Sequence, residues 1–212
     1  MINGFTNILV LAPHTDDGEL GAGGTIASLI ESGAKVTYAA FSTAAESVPS
    51  HLPPDILKTE VKAATHALGI LPENLIIFDY PVRKLNYHRQ EILESLIALR
   101  ADNSFDLVLM PSLKDIHQDH RTIAEEGLRA FKGTTILGYE LIWNNLSFET
   151  TCFIKLKKHN IESKLNALHC YQSQAGRRYM SEEFIFSLAI TRGVQIGADY
   201  AESFEVLRWV MN

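Results

Sequence analysis

Ile8-Leu9-Val10-Leu11-Ala12 is an apolar run with no polar alternation, the pattern of a strand covered on both faces in a parallel sheet. A helical pattern follows over residues 24–30 and stops at Gly33. The alternation then repeats. Residues 35–41 read as a second strand, rich in Val, Thr, Tyr and Phe. Asp55 is placed to cap a helix over residues 56–68 that Gly69 ends. A third strand over 75–78 is closed by Pro81, and a helix over 90–100 presents Ile92, Leu93, Leu96, Ile97 and Leu99. A fourth strand over 106–110 stops at Pro111, followed by a helix over 121–131 and a strand over 135–139. This β-α order predicts an α/β fold: a Rossmann-like, mostly parallel sheet flanked by helices. Beyond residue 140 the pattern is less regular, with a strand expected over 151–156 and helices over 163–170 and 182–191. Repeats and low-complexity linkers are absent, so residues 1–212 are expected to form a single domain.

Composition narrows the class. Apolar residues make up 46% of the 212 and charged residues 21%, as in globular proteins, which excludes disorder and coiled coil. A formal charge of −6 argues against a dedicated nucleic-acid binder. Two cysteines, Cys152 and Cys170, are too few for a disulfide scaffold and are expected as reduced thiols. The start, Met1-Ile2-Asn3-Gly4-Phe5-Thr6-Asn7, lacks the positive region of a signal peptide, and no apolar run has the length of a membrane span. A cytoplasmic protein is the expectation, and the sequence leaves a homo-oligomer open.

Two polar clusters stand at the ends of predicted strands. After the first comes His14-Thr15-Asp16-Asp17-Gly18-Glu19, trailed by Gly21, Gly23 and Gly24. One imidazole and three carboxylates in six residues are costly to bury unless something binds them. After the fourth comes Asp115-Ile116-His117-Gln118-Asp119-His120. Each cluster alone also reads as a polar loop with a helix cap. Together they converge on one rim of a parallel sheet, where open α/β folds place their sites. A catalytic zinc needs three protein ligands and an open position. His14, Asp17 and His120 can supply the three, leaving Asp16 and His117 for proton transfer. A site of two imidazoles and one carboxylate suits Zn²⁺, and also Fe²⁺, Co²⁺ or Ni²⁺. The glycines do not fit GxGxxG, and neither a P-loop nor a GxSxG elbow occurs. His51, His66, His88, His159 and His169 read as structural or solvated. The Arg177-Arg178 pair can hold a phosphate or carboxylate, or form a solvated turn, and Trp143-Asn144-Asn145 can meet a sugar face or pack in a core.

The two motifs together resemble those of the PIG-L/LmbE family of metal-dependent N-acetylglucosaminyl de-N-acetylases. The resemblance extends to residues 60–69, residues 164–174 and Tyr200-Ala201-Glu202-Ser203-Phe204. Thr15 and Gln118 stand where many members have Pro, and Lys58 lies near where many have a substrate-binding Arg. The resemblance implies His14, Asp17 and His120 as metal ligands and Asp16 as general base. It implies His117 as oxyanion stabiliser and acid, with Asp119 orienting its ring and Glu19 supporting the loop. The implied substrate is an N-acetylated sugar or sugar conjugate, with no nucleic-acid or membrane partner. A metal-dependent phosphoesterase and a non-catalytic sugar- or nucleotide-binding module are the alternatives.

Overall fold

The computed structural model describes residues 4–211, so Met1-Ile2-Asn3, part of the start read as lacking a signal peptide, lie outside it. In chain order the elements are β1 (Asn7–His14), α1 (Asp17–Glu31), β2 (Lys35–Ser42), α2 (Ile56–Ala67), β3 (Leu75–Ile77), α3 (Arg89–Asp102) and β4 (Leu107–Pro111). There follow α4 (Gln118–Ala130), β5 (Thr135–Tyr139), β6 (Cys152–Leu156), α5 (Lys158–Leu168), α6 (Glu182–Val194) and β7 (Tyr200–Arg208). The seven strands form one sheet in the order β3-β2-β1-β4-β5-β7-β6. Strands β1 to β5 are parallel, and β7 runs antiparallel to both neighbours.

Strand β1 sits at the centre because its side chains are apolar on both faces. Ile8, Val10 and Ala12 pack with Tyr38, Leu107 and Leu109 under Leu20 and Ile26 of α1 and Ile161 of α5. Leu9 and Leu11 point the other way, to Phe41, Val108 and Met110 and to Ile92, Leu96 and Ile123 of α3 and α4. From β1 the chain winds outward through β2 and β3, then returns to add β4 and β5 on the other side. Loops leaving β1 and β4 therefore diverge to opposite faces, and a crevice opens between their carboxyl ends.

The first helix departs from the expected start at residue 24. It begins at Asp17 and runs through all four glycines, with a kink at Ala22, whose φ is −143° and ψ 15°. Glycine is a poor helix former, but here the missing side chains permit close packing. A Cβ on Gly18 would lie 2.5 Å from Tyr38 Cε2, one on Gly23 2.7 Å from Lys164 Cγ, and one on Gly21 would overlap the Tyr139 ring. Past the kink, Gly24 and Thr25 expose backbone N–H groups like those of a new helix start. Both donate to the carboxylate of Glu202 on β7, at 3.0 and 2.7 Å. Lys164 of α5 neutralises that carboxylate at 2.7 Å, and both side chains are buried.

Strand β7 was not expected as a strand, because its Glu202, Ser203 and Glu205 mask a buried run. Each carboxylate has a partner. Glu205 accepts from Ser112 Oγ at 2.5 Å and from the Glu149 N–H at 3.0 Å. Helix α5 starts at Lys158 rather than 163 and α4 at Gln118 rather than 121, while α2 begins after Asp55 with no side-chain cap bond. No helix among the described residues is long and apolar enough to cross a membrane. Glu202→Ala removes the cap of the kinked helix and leaves Lys164 buried without its counter-charge. It is expected to cost about 3–5 kcal/mol of unfolding free energy, measured by urea denaturation.

Candidate metal centre

Both polar clusters lie at the crevice between β1 and β4. His14 is the last residue of β1, Asp16 stands just before α1 without a side-chain cap bond, and Asp17 is the first residue of the helix. The loop between them is clamped from below. The Thr15 carbonyl faces the hydroxyls of Tyr38 at 3.0 Å and Tyr171 at 2.7 Å, and both hydroxyls also contact the buried Glu19 carboxyl. Burial raises the Glu19 carboxyl to about 8 against the opposing pull of the two tyrosines. A proton held there lets the carboxyl donate to one phenol oxygen, freeing that phenol's own proton for the Thr15 carbonyl.

The second cluster opens α4. The Asp115 carboxylate accepts the His117 N–H at 2.8 Å, and His117 caps the helix, its Nδ1 accepting the Asp119 N–H at 3.2 Å. That bond fixes the neutral tautomer of His117 with its proton on Nε2. His120 lies in the first helical turn, so its ring meets His14 from across the crevice.

His14 Nδ1, Asp17 Oδ2 and His120 Nε2 form a nearly equilateral triangle, with separations of 3.1, 3.2 and 3.2 Å. Three ligand atoms held at about 2.0–2.1 Å in a tetrahedron lie about 3.3–3.4 Å apart, so this donor set fits a small divalent cation. The other nitrogen of each ring has its own carboxylate: Asp119 Oδ2 at 3.0 Å from His14 Nε2, and Asp115 Oδ2 at 2.7 Å from His120 Nδ1. Such outer carboxylates fix the ring and raise its basicity. A wider group of His14, His117 and His120 has donor atoms within 4.8 Å of one another. The tighter triangle with Asp17 is the better match to a metal's dimensions.

The electrostatics reflect crowded acids. Burial opposes charge on both imidazoles, but the Asp17 carboxylate, aided by Asp119 at His14 and Asp115 at His120, raises them to about 9 and about 10. Burial likewise opposes ionised Asp17, yet His120 and His14 hold it well below the usual carboxylate range. Asp16, beside the triangle, is raised to about 6 by burial and by the Asp17 charge. Burial and the neighbouring His120 and His14 push His117 down.

All six residues singled out from the sequence meet here, with one change of partner. The Asp119 carboxylate does not orient the His117 ring. It takes His14 Nε2 and the backbone N–H groups of Arg83 at 2.6 Å and Leu85 at 3.2 Å, and only its own N–H reaches His117. The helix start explains this: an N-cap presents its side chain to the backbone of the next residues. The centre opens into a cleft of about 300 Å³, lined among others by His14, Asp16, Arg83, His117, Trp143 and Arg177. The five other histidines lie elsewhere; His88 meets Glu91 at 2.5 Å and His159 meets Glu31 at 2.9 Å. Arg178 and Lys58 do not line the cleft, whereas Leu57 does.

Sequence reading missed Asp115 as the partner of His120 and Arg83 as a cleft residue. Asp115 stood in the same cluster, but nothing in the sequence marked it over Asp119 as the partner of His120. Arg83 carried no motif.

A family model described as GlcNAc-PI de-N-acetylase, PIG-L, matches residues 9–131, which contain both clusters. The chain belongs to the PIG-L family. Over 223 aligned residues it is 26% identical to a diacetylchitobiose deacetylase from Thermococcus kodakarensis, covering 94% of this chain and 82% of that protein. Its fold is similar to that of the N,N'-diacetylchitobiose deacetylase from Pyrococcus horikoshii, with a TM-score of 0.78, 22% identity, and 96% and 84% of the two chains covered. A 4-carboxy-2-hydroxymuconate hydratase from Pseudomonas putida KT2440 shares the fold nearly as well, with a TM-score of 0.76, 20% identity, and 98% and 99% covered.

In chelator-treated protein, His14 and His120 are expected to stay protonated up to pH about 9 and about 10, while His117 titrates below the ordinary histidine range. An NMR titration of the imidazole resonances measures all three.

Proposed function

We propose that the chain is a metal-dependent de-N-acetylase, hydrolysing the acetamide of an N-acetylated sugar or sugar conjugate to free amine and acetate. The observation that carries this reading is the His14–Asp17–His120 triangle with Asp16 beside it, in a member of the PIG-L family. The deacetylase relative acts on a diacetylated sugar by its name, and a cleft of about 300 Å³ is of the size that takes one small ligand.

Zn²⁺ is our choice for the triangle, since two imidazoles and a carboxylate are its usual catalytic donors, with Fe²⁺ the next choice. A divalent cation held by His14 Nδ1, Asp17 Oδ2 and His120 Nε2 supplies Lewis acidity, acidifying water and polarising the amide carbonyl. The remaining work falls to the chain's own side chains. Asp16 accepts the proton of the attacking water, and its raised pKa makes it a better base than an ordinary aspartate near neutral pH. His117 donates its Nε2 proton as a hydrogen bond to the carbonyl oxygen as negative charge develops there. The amine leaves once its nitrogen is protonated. We assign that proton to Asp16, which has just received one, rather than to His117, whose surroundings oppose the imidazolium form. Asp115 and Asp119 position the two ligand imidazoles.

A two-metal phosphoesterase needs a second set of donors. Among the described residues the cleft holds one convergent set.

Asp16→Asn is expected to lower kcat for amine release by about 10²–10⁴-fold with the metal content unchanged. An assay on N-acetylhexosamine conjugates, paired with metal analysis, tests this; activity indifferent to both the substitution and a chelator would refute the mechanism. Asp115→Asn is expected to weaken metal affinity by about 10–100-fold, measured by competition with a chromogenic chelator.

A further inference from the structure

We propose that Tyr171 is a positioning residue for the reaction: its hydroxyl holds the Thr15–Asp16 peptide in place, and through it the carboxylate of the general base Asp16. This deepens the de-N-acetylase reading and rests on it for the role of Asp16.

Of the acids at the crevice, Asp16 is the one its neighbours do least to hold. Asp17 lies between two imidazoles and also accepts the His14 N–H at 2.8 Å. Asp115 and Asp119 are each bound to a ring and to backbone N–H. Asp16 makes no side-chain cap bond to α1, and the hydrogen bond that stabilises its carboxylate comes from its own backbone N–H. Its place beside the triangle is therefore set by the main chain. The peptide plane that enters Asp16 is rigid, and in a trans peptide the carbonyl and the N–H point in opposite directions. A hold on the Thr15 carbonyl thus fixes the direction of the Asp16 N–H, and with it the carboxylate that this N–H meets.

That hold comes from far along the chain. Tyr171 Oη lies 2.7 Å from the Thr15 oxygen, against 3.0 Å for Tyr38, and it meets Glu19 Oε1 at 2.9 Å. Tyr38 is shared more widely, because its oxygen takes the Gly18 N–H at 3.1 Å as well as facing Glu19. Tyr171, Thr15 and Glu19 are all buried, so water does not compete for these bonds. Tyr171 is anchored in turn. It stands between the end of α5 and Ser173, whose N–H and Oγ both donate to the buried Glu60 carboxylate of α2, at 2.9 and 2.6 Å. Those bonds fix the backbone just past the ring, while the Tyr171 N–H is tied to the Leu168 carbonyl at 3.0 Å. A path of chain and hydrogen bonds thus runs from Glu60 through Ser173 and Tyr171 to Thr15, and ends at the base. Phenylalanine would fill the same space, so what the tyrosine adds is this hydroxyl.

The test is Tyr171→Phe on the metal-loaded full chain. Thr15 and Glu19 both keep Tyr38, so the variant is expected to fold. With an N-acetylhexosamine conjugate as substrate, kcat for amine release should fall roughly 10–100-fold, the scale on which a small misplacement of a reacting group acts, while KM and metal content stay within about twofold of the wild type. In an Asp16→Asn background the same change should cost less than about twofold, because no base remains to be misplaced. Ser173→Ala, which loosens the anchor and leaves the phenol intact, should show the same pattern with a smaller loss of kcat, and it carries the test if Tyr171→Phe is unstable. Crystal structures of the wild type and the variants give a readout independent of turnover: the Thr15–Asp16 peptide should rotate and the Asp16 carboxylate move by about 1 Å. An unchanged kcat, an equal loss in both backgrounds, or an Asp16 carboxylate that stays in place overturns the assignment, as does a loss of kcat that metal loss accounts for. Should the wild type release no amine, the de-N-acetylase reading falls, and the crystal comparison alone decides whether Tyr171 positions Asp16.

Discussion

The structure turns on a buried carboxylate held between two imidazoles. Asp17 lies between His14 and His120 with its side chain almost wholly out of water, and Asp115 and Asp119 are buried behind the two rings. Three carboxylates around two imidazoles are tolerable only if positive charge is supplied, since an uncompensated buried carboxylate costs several kcal/mol. Two protons on the rings meet that need. A divalent cation with two neutral rings carries the same total charge, so surroundings that hold the first arrangement suit the second. The raised imidazole pKa values and the metal-sized donor triangle thus have one electrostatic origin.

This charge cluster needs a frame that does not yield, and the topology provides it. The return of the chain to β4 puts one cluster on each side of a crevice. The glycines of α1 let that helix settle against Tyr38, Tyr139 and Lys164, so Asp16 and Asp17 start a helix at the floor of the cleft. The irregular last third of the chain is part of the same frame. Glu202 of β7 caps the broken helix, and Tyr171, just beyond α5, clamps the Thr15 carbonyl.

The parallel half of the fold was legible because its strands are apolar on both faces and its helices are periodic. The meeting of His14, Asp17 and His120 was legible only from the two clusters together, since each alone also reads as a polar loop with a helix cap. The start of α1 was hidden by its glycines, whose value lies in contacts 118 and 141 residues away in sequence, of Gly21 with Tyr139 and Gly23 with Lys164. Strand β7 was hidden by carboxylates whose partners lie 38 and 93 residues away in sequence. The partner of Asp119 was misassigned for a related reason. Sequence proximity favours His117, but at a helix start the side chain is free to turn across the crevice to β1 and to the loop carrying Arg83.

Fold alone does not set the reaction, since a hydratase shares this architecture almost as closely as a deacetylase does. Within this chain the rim of the crevice is tied to its floor by side-chain hydrogen bonds. Here Asp119 makes that tie, with one carboxylate on His14 and on the backbone of Arg83. A shift of the loop carrying Arg83 moves the carboxylate that orients His14, and a change at His14 is felt at Arg83. The rim loop and the histidine at the floor are thus tied through a single side chain that belongs to the conspicuous motif but serves residues outside it.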